Sequence, residues 1–280
     1  MKTIILTDST SDISNENIEL LDVEVVNLSV VFGDKVYRER EEITKEQFFE
    51  MLETSDVNPT TSQPSPEDFL KIFKAHKERG ERVVYIGISS FLSGTVQTAR
   101  IAKEMCDYDE IYVIDSLNVT SGIEILVRAA CAMRDKGMPA SEIAEKVTEL
   151  VPRIRLFAMV DTLKYLVRGG RLSKAAGFIG GALGLKPLVG MIDGKLEAVG
   201  KERGQKKAFE SIYDMIEKEP IDTDLPIMIT HVNDMSKRYE FEQFLKEKGI
   251  SYNWTYGSVG SVVGTHSGPG AVGITYFTKK

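Results

Sequence analysis

Residues 82–106 read RVVYIGISSFLSGTVQTARIAKEMC. The first seven residues are rich in β-branched and aromatic side chains and carry no polar alternation, which predicts a strand covered on both faces. A hydroxyl-rich turn follows, and then apolar residues at helical spacing. The same pattern recurs on either side. KTIILTD (2–8) and EIYVID (110–115) are further strands of this kind, and EVVNLSVVF (24–32) reads as another. TKEQFFEMLET, SPEDFLKIFKAHKERG, TSGIEILVRAACAMRDKG and PASEIAEKVTELVPRI are the helices between and after them. Strands separated by such helices imply right-handed crossovers and a parallel sheet with helices on both faces.

The rhythm changes near residues 152–161, which sets two units, 1–155 and 156–280. In the second, KPLVGMIDGKLEAVGK is a hairpin turning at Asp193-Gly194. Helix GQKKAFESIYDMIEK, strand LPIMITHV, helix DMSKRYEFEQFLKEKG and strands SYNWTYG and AVGITYF follow. The expected fold class is therefore α/β, with an N-terminal parallel-sheet three-layer α/β/α domain. The C-terminal α/β domain is expected to have a mixed or antiparallel sheet. With no low-complexity linker the two units pack closely, and the cleft between them is a natural place for a ligand.

Composition excludes several function classes. The 280 residues are 42% apolar and 28% charged, with net charge -7, so general nucleic-acid affinity is not expected. Two cysteines without CxxC spacing fit core thiols in a reducing, cytoplasmic setting. Three histidines are too few for a His/Cys metal centre; carboxylates alone could still hold a hard cation, but no metal site is expected. The apolar run at the N-terminus is far too short for a signal peptide. AAGFIGGALGLKPLVGMI (175–192) is interrupted by Lys186 and Pro187 before it could span a bilayer, and reads as a buried small-residue helix.

Candidate chemistry gathers in loops. Three strand ends run into hydroxyls: Ser9-Thr10-Ser11, Ser89-Ser90 with Ser93-Gly94-Thr95, and Ser116 with Thr120-Ser121-Gly122. Loops at the carboxyl ends of parallel strands face the ligand crevice, and helix N-termini favour an anion. A single serine before a helix is usually only a cap. Three such ends, together with NPTTSQPSPEDF (58–69), indicate an anion-binding crevice. The latter reads as a turn in which prolines hold Thr61 stiff. None of the four stretches contains Lys or Arg, and there is no phosphate-cradling G-x-x-x-x-G-K-[ST], so a carboxylate fits better than a polyphosphate. His266, within SVGSVVGTHSGPGAVG (258–273), reads as a titratable donor on a glycine-shaped loop. The alternative is a serine-type lipid or ester hydrolase using Ser93 and His266 with Asp115 or Asp161, but the G-x-S-x-G elbow is missing. Residues 164–207 hold ten Lys or Arg against three acids, a local +7 that leaves -14 elsewhere and suggests docking to an anionic partner.

LTDSTSDI, TSQPSPEDF, SSFLSGTVQTA, DSLNVTSG, TLKYLVRGGRL, GKLEAVGKERGQKKA and GTHSGPGAVG, in this order along the chain, together resemble the DegV family of fatty acid-binding proteins. The resemblance implies a carrier without catalytic activity of its own, of the type of the FakB subunit of bacterial fatty acid kinase. Such a subunit holds a long-chain fatty acid in a tunnel between its domains. It presents the carboxylate to a separate ATP-dependent kinase subunit, with transient membrane-surface contact for lipid exchange. Carried over by position, Thr61, Ser93 and His266 would hold the carboxylate, and Arg171 and Arg203 would serve the head group or partner docking. No cofactor is implied beyond the fatty acid ligand. A buried chain of roughly 15 methylenes would contribute on the order of 12 kcal/mol before ordering costs, so the tail sets affinity and the hydroxyls set orientation.

Overall fold

The computed structural model describes residues 2–172 and 184–279. Half of the helix expected over 175–192 lies outside the described residues, and the rest is not helical: Leu185–Ile192 is a strand. The first sheet has four strands, all parallel, in the order β2-β1-β6-β7. These are β1 Thr3–Asp8, β2 Val23–Val26, β6 Arg82–Gly87 and β7 Ile111–Asp115. Its two faces are equally apolar, as the unbroken runs in β1 and β6 require. Ile4, Leu6, Val83 and Tyr85 pack with Phe69 and Phe73 of α3 (Pro66–Glu78) and with Val96 and Ala99 of α4 (Thr95–Cys106). Their neighbours Ile5, Val84 and Ile86 point the other way, onto α5 (Ser121–Asp135) and α6 (Ala140–Leu150). Short helices α1 (Asn15–Leu20) and α2 (Lys45–Thr54) decorate this half.

The second sheet has six strands in the order β10-β9-β8-β13-β11-β12 and is antiparallel except for the β11–β12 pair. They are β8 Ile154–Met159, β9 Leu185–Ile192, β10 Lys195–Arg203, β11 Met228–His231, β12 Thr255–Ser258 and β13 Val272–Phe277. The expected hairpin is β9–β10, turning at Asp193 and Gly194, both with positive φ. Helices α8 (Gln205–Lys218) and α9 (Met235–Glu247) cover one face through Phe209, Ile212, Phe241 and Leu245. The other face meets α5. That helix is buried nearly all round, with Ile123, Ile125, Leu126, Val127 and Ala130 at or near zero exposure. It packs on the parallel sheet and also on Ile154, Met228 and Phe277 of the mixed one. A helix apolar on every side belongs between layers, and α5 is the common layer.

Three local readings are corrected. EVVNLSVVF is two strands, because the chain leaves the parallel sheet after Val26 and starts β3 (Ser29–Phe32) in a separate antiparallel sheet. That sheet has the order β4-β3-β5, with β4 Lys35–Arg38 and β5 Thr60–Ser62. The TTS segment is therefore strand β5, paired with β3 through Thr61 and Val30. His266 lies on a helix, α10 (Ser261–Ser267), rather than on a loop. A further short helix is α7 (Lys164–Arg168).

Candidate functional site

A cavity lies between the loop ends of the parallel sheet, the inner face of the mixed sheet, β5 and α10. With its open mouth included it encloses about 970 Å³ of space free of atoms. Its wall is mostly aliphatic, including Leu28, Leu156, Val160, Val189, Val232 and Val262. Strand register explains its long axis. Val189, Ala158, Gly273 and Thr230 are successive cross-strand partners on β9, β8, β13 and β11. They form one row of cavity-lining residues, and Leu196 of β10, opposite Met191 and so two residues off that row, lines the cavity as well. Five strands are four spacings, or about 19 Å at ~4.8 Å each. Ala158 and Gly273 at the centre leave the floor low.

Thr61, Ser93, His266 and Arg171 all line this cavity. Thr61 Oγ1 lies 3.0 Å from His266 Nε2. Ser93 Oγ lies 2.9 Å from Thr95 Oγ1 at the start of α4. The Arg171 guanidinium donates to the carbonyls of Leu92 (3.2 Å) and Gly169 (2.6 Å), which tethers it at the β10 end of the row, where Leu172 bridges Leu196. Arg203 is different: it is exposed at the end of β10 and is not among the described residues lining the cavity.

Burial, reinforced by the charges of Arg171 and Arg168, lowers the His266 pKa to about 4, so the imidazole is neutral at pH 7. A neutral ring has one donor and one acceptor nitrogen. If Nε2–H donates to Thr61, the Thr61 hydroxyl keeps its own proton for an anion in the cavity. The ring fits because residue 169 is glycine: a Cβ there would lie 2.2 Å from His266 Nδ1. The titratable donor expected from the sequence is thus a neutral one.

No hydrolase arrangement is assembled among these residues. Ser93 bonds Thr95 and His266 bonds Thr61. Asp161 is held by Lys186 and Lys237, each at 2.7 Å. Asp115 accepts from the backbone of Ser90 and Leu117.

The loop ends are organised by acids that the sequence reading passed over. Asp8, fully buried, accepts from Tyr85 Oη (2.7 Å), Ile88 N (3.0 Å), Thr10 N (3.1 Å) and the Thr10 hydroxyl. It thereby ties the first strand end to the second. Asp12 and Glu39 are buried together at the start of α10, where they accept from Gly260 N and Val262 N, both at 2.9 Å. Burial raises both pKa values, and the Glu39 charge pushes Asp12 further up. The only sequence signal for this pair is the spacing of acids in TSDI and YRER, which is too common to read.

Among the described residues, no group of three or more His, Cys, Asp or Glu side chains could hold a metal ion. Nor is any described helix long and apolar enough to cross a membrane.

Fold and site define a class: an α/β protein of two large sheets enclosing an elongated apolar cavity with hydroxyls, an imidazole and a guanidinium in its wall. The chain belongs to the DegV family, whose sequence profile, described as "Uncharacterised protein, DegV family", matches residues 2–279. It is 36% identical over 278 residues to a DegV domain-containing protein of Clostridium acetobutylicum, covering 98% of each chain. Its fold matches that of a Thermus thermophilus DegV family protein described for fatty acid binding, with a TM-score of 0.90 at 31% identity over the whole of both chains. A stearic acid-binding protein from Eubacterium ventriosum matches with a TM-score of 0.90 at 30% identity, over 100% of this chain and 99% of that one.

Proposed function

We propose that this chain is a non-catalytic cytoplasmic carrier that holds one long-chain fatty acid in the cavity between its two halves, residues 1–155 and 156–280. Its role is to present the carboxylate to a separate ATP-dependent fatty acid kinase subunit. The single observation that carries the reading is the Thr61–His266 pair set into the wall of a mostly aliphatic cavity floored by the mixed sheet. Thr61, Ser93 and His266 receive the carboxylate. Arg171 and Arg168 add positive potential at that end without making an ion pair that would trap the acid. The fatty acid-binding neighbours support the ligand class. Exposed Arg168, Lys195, Arg203, Lys206 and Lys207 support docking of an acidic partner surface.

The test is direct. Protein purified without added lipid is extracted with solvent and the extract weighed by mass spectrometry; about one fatty acid per chain is expected. Thr61→Val combined with Ser93→Ala is expected to lower retention at least about tenfold, since each hydrogen bond to a charge contributes about 1.5–3 kcal/mol. Full retention in a folded double variant sinks the site assignment. Absence of ATP-dependent acyl phosphate with every kinase subunit of the fatty acid class sinks the presentation role.

A further inference from the structure

We propose that the end of the cavity remote from Arg171 is a second polar subsite that takes an uncharged oxygen on the acyl chain, so that hydroxylated or oxo fatty acids are ligands of this protein. The inference rests on the fatty acid reading above. Thr230 lies on β11, four strands from β10, about 19 Å along the row. The residue lines the cavity and is 8% exposed, and its hydroxyl is buried in the wall with no hydrogen-bond partner among the described residues. On neighbouring β13, Thr275 Oγ1 lies 2.6 Å from Ser121 Oγ, and both residues also line the cavity. Only one hydroxyl of that pair can donate to the other, so the acceptor's own proton is left without an acceptor among the described residues.

At least two O–H donors are therefore buried in the wall of an otherwise aliphatic space, a costly arrangement unless something accepts from them. A carboxylate is the wrong acceptor here. The Asp8 carboxyl holds the Thr10 hydroxyl of the same wall, and the Thr120 hydroxyl lies beside Asp12 without completing a hydrogen bond. An anion would find no Lys or Arg among the described lining residues here, whereas at the opposite end it meets Arg171, with Arg168 nearby. The charge asymmetry fixes the ligand's direction: acid toward Thr61 and His266, neutral oxygen toward Thr230 and Thr275.

The experiment is isothermal titration calorimetry on lipid-stripped protein. The ligands are stearate and stearates bearing one hydroxyl at mid-chain or on the terminal carbon. They are titrated into wild type, Thr230→Val/Thr275→Val and Ser121→Ala, each checked by its melting transition. For at least one hydroxylated acid, the affinity relative to stearate is expected to fall about three- to tenfold in the double variant. Ser121→Ala is expected to show a smaller fall in the same direction, and it decides the matter if the double variant does not fold. Relative affinities unchanged within about threefold for both hydroxylated acids overturn the subsite while leaving fatty acid binding intact. Failure of stearate itself to bind wild type overturns the proposed function and this inference together.

Discussion

Thr61 and His266 are 205 positions apart in sequence, yet they share a 3.0 Å contact in the cavity wall. That contact makes His266 a stability probe. An unfolded histidine titrates near 6.5, and burial beside Arg171 and Arg168 takes His266 down to about 4. Between these values the unfolded chain holds the extra proton. The contribution is thus complete above about pH 6.5 and is lost as pH falls toward 4. The loss is at most about 3 kcal/mol, reduced by the partial exposure of the ring. Denaturant midpoints measured from pH 7.5 to pH 4.5 are expected to fall less steeply in His266→Gln than in wild type. Parallel slopes would show that the ring is not buried as a neutral group. Residue types were the most legible part of the candidate site: Thr61, Ser93 and His266 stand out in the sequence, Arg171 follows from the family resemblance, and all four line the cavity. The neutral state of His266 was not legible, because it follows from burial and from two arginines that the fold brings near.

At the scale of elements, α10 is the device that places His266. Its seven residues include Gly264, where a Cβ would come within 2.9–3.0 Å of Phe49 and Phe48 on α2. Glycines chosen for close packing look, in sequence, like glycines chosen for a loop, which is why the helix was hidden. β5 was hidden for a related reason: three residues between prolines carry no periodicity, and only pairing with β3 makes them a strand. β8 was missed because IRLFAM follows directly on a helix pattern.

The helix start brings a conflict, since Asp12 and Glu39 lie together there, buried. Their pKa values are raised in the fold, so their penalty is small at acid pH and grows as pH rises through the folded values. Asp12→Asn keeps an acceptor for Gly260 N and removes one charge. It is expected to raise stability by about 1–2 kcal/mol at pH 8 and to give little or no gain at pH 4. Melting temperatures across that range provide the measurement. A variant less stable than wild type at pH 8 would show that the ionised pair is favourable.

For the whole molecule, the layer order was legible and the joint between layers was not. Helix and strand periods announced a parallel sheet followed by a mixed one. Nothing local indicated that the cavity floor would be a row of partners from distant strands. Ala158 and Gly273 are the low points of that row. Ala158→Leu is expected to shift the co-purified fatty acids toward shorter chains by a few carbons, with a stability change within about 1.5 kcal/mol because the side chain enters open space. An unchanged chain-length distribution in the extract would place the tail elsewhere.

The position of α5 also bears on how the chain can be divided. A helix shared by both sheets gives neither half a finished interior. Cutting the gene after residue 155 would leave the amino-terminal fragment with a greasy flank and the carboxyl-terminal fragment without its lining. Each would aggregate alone and recover on co-expression, and the intact protein would melt in a single calorimetric step. In the proposed carrier role, cargo enclosed at such a seam would be released by parting surfaces that also hold the molecule together, so loading and thermal resistance would rise and fall as one property.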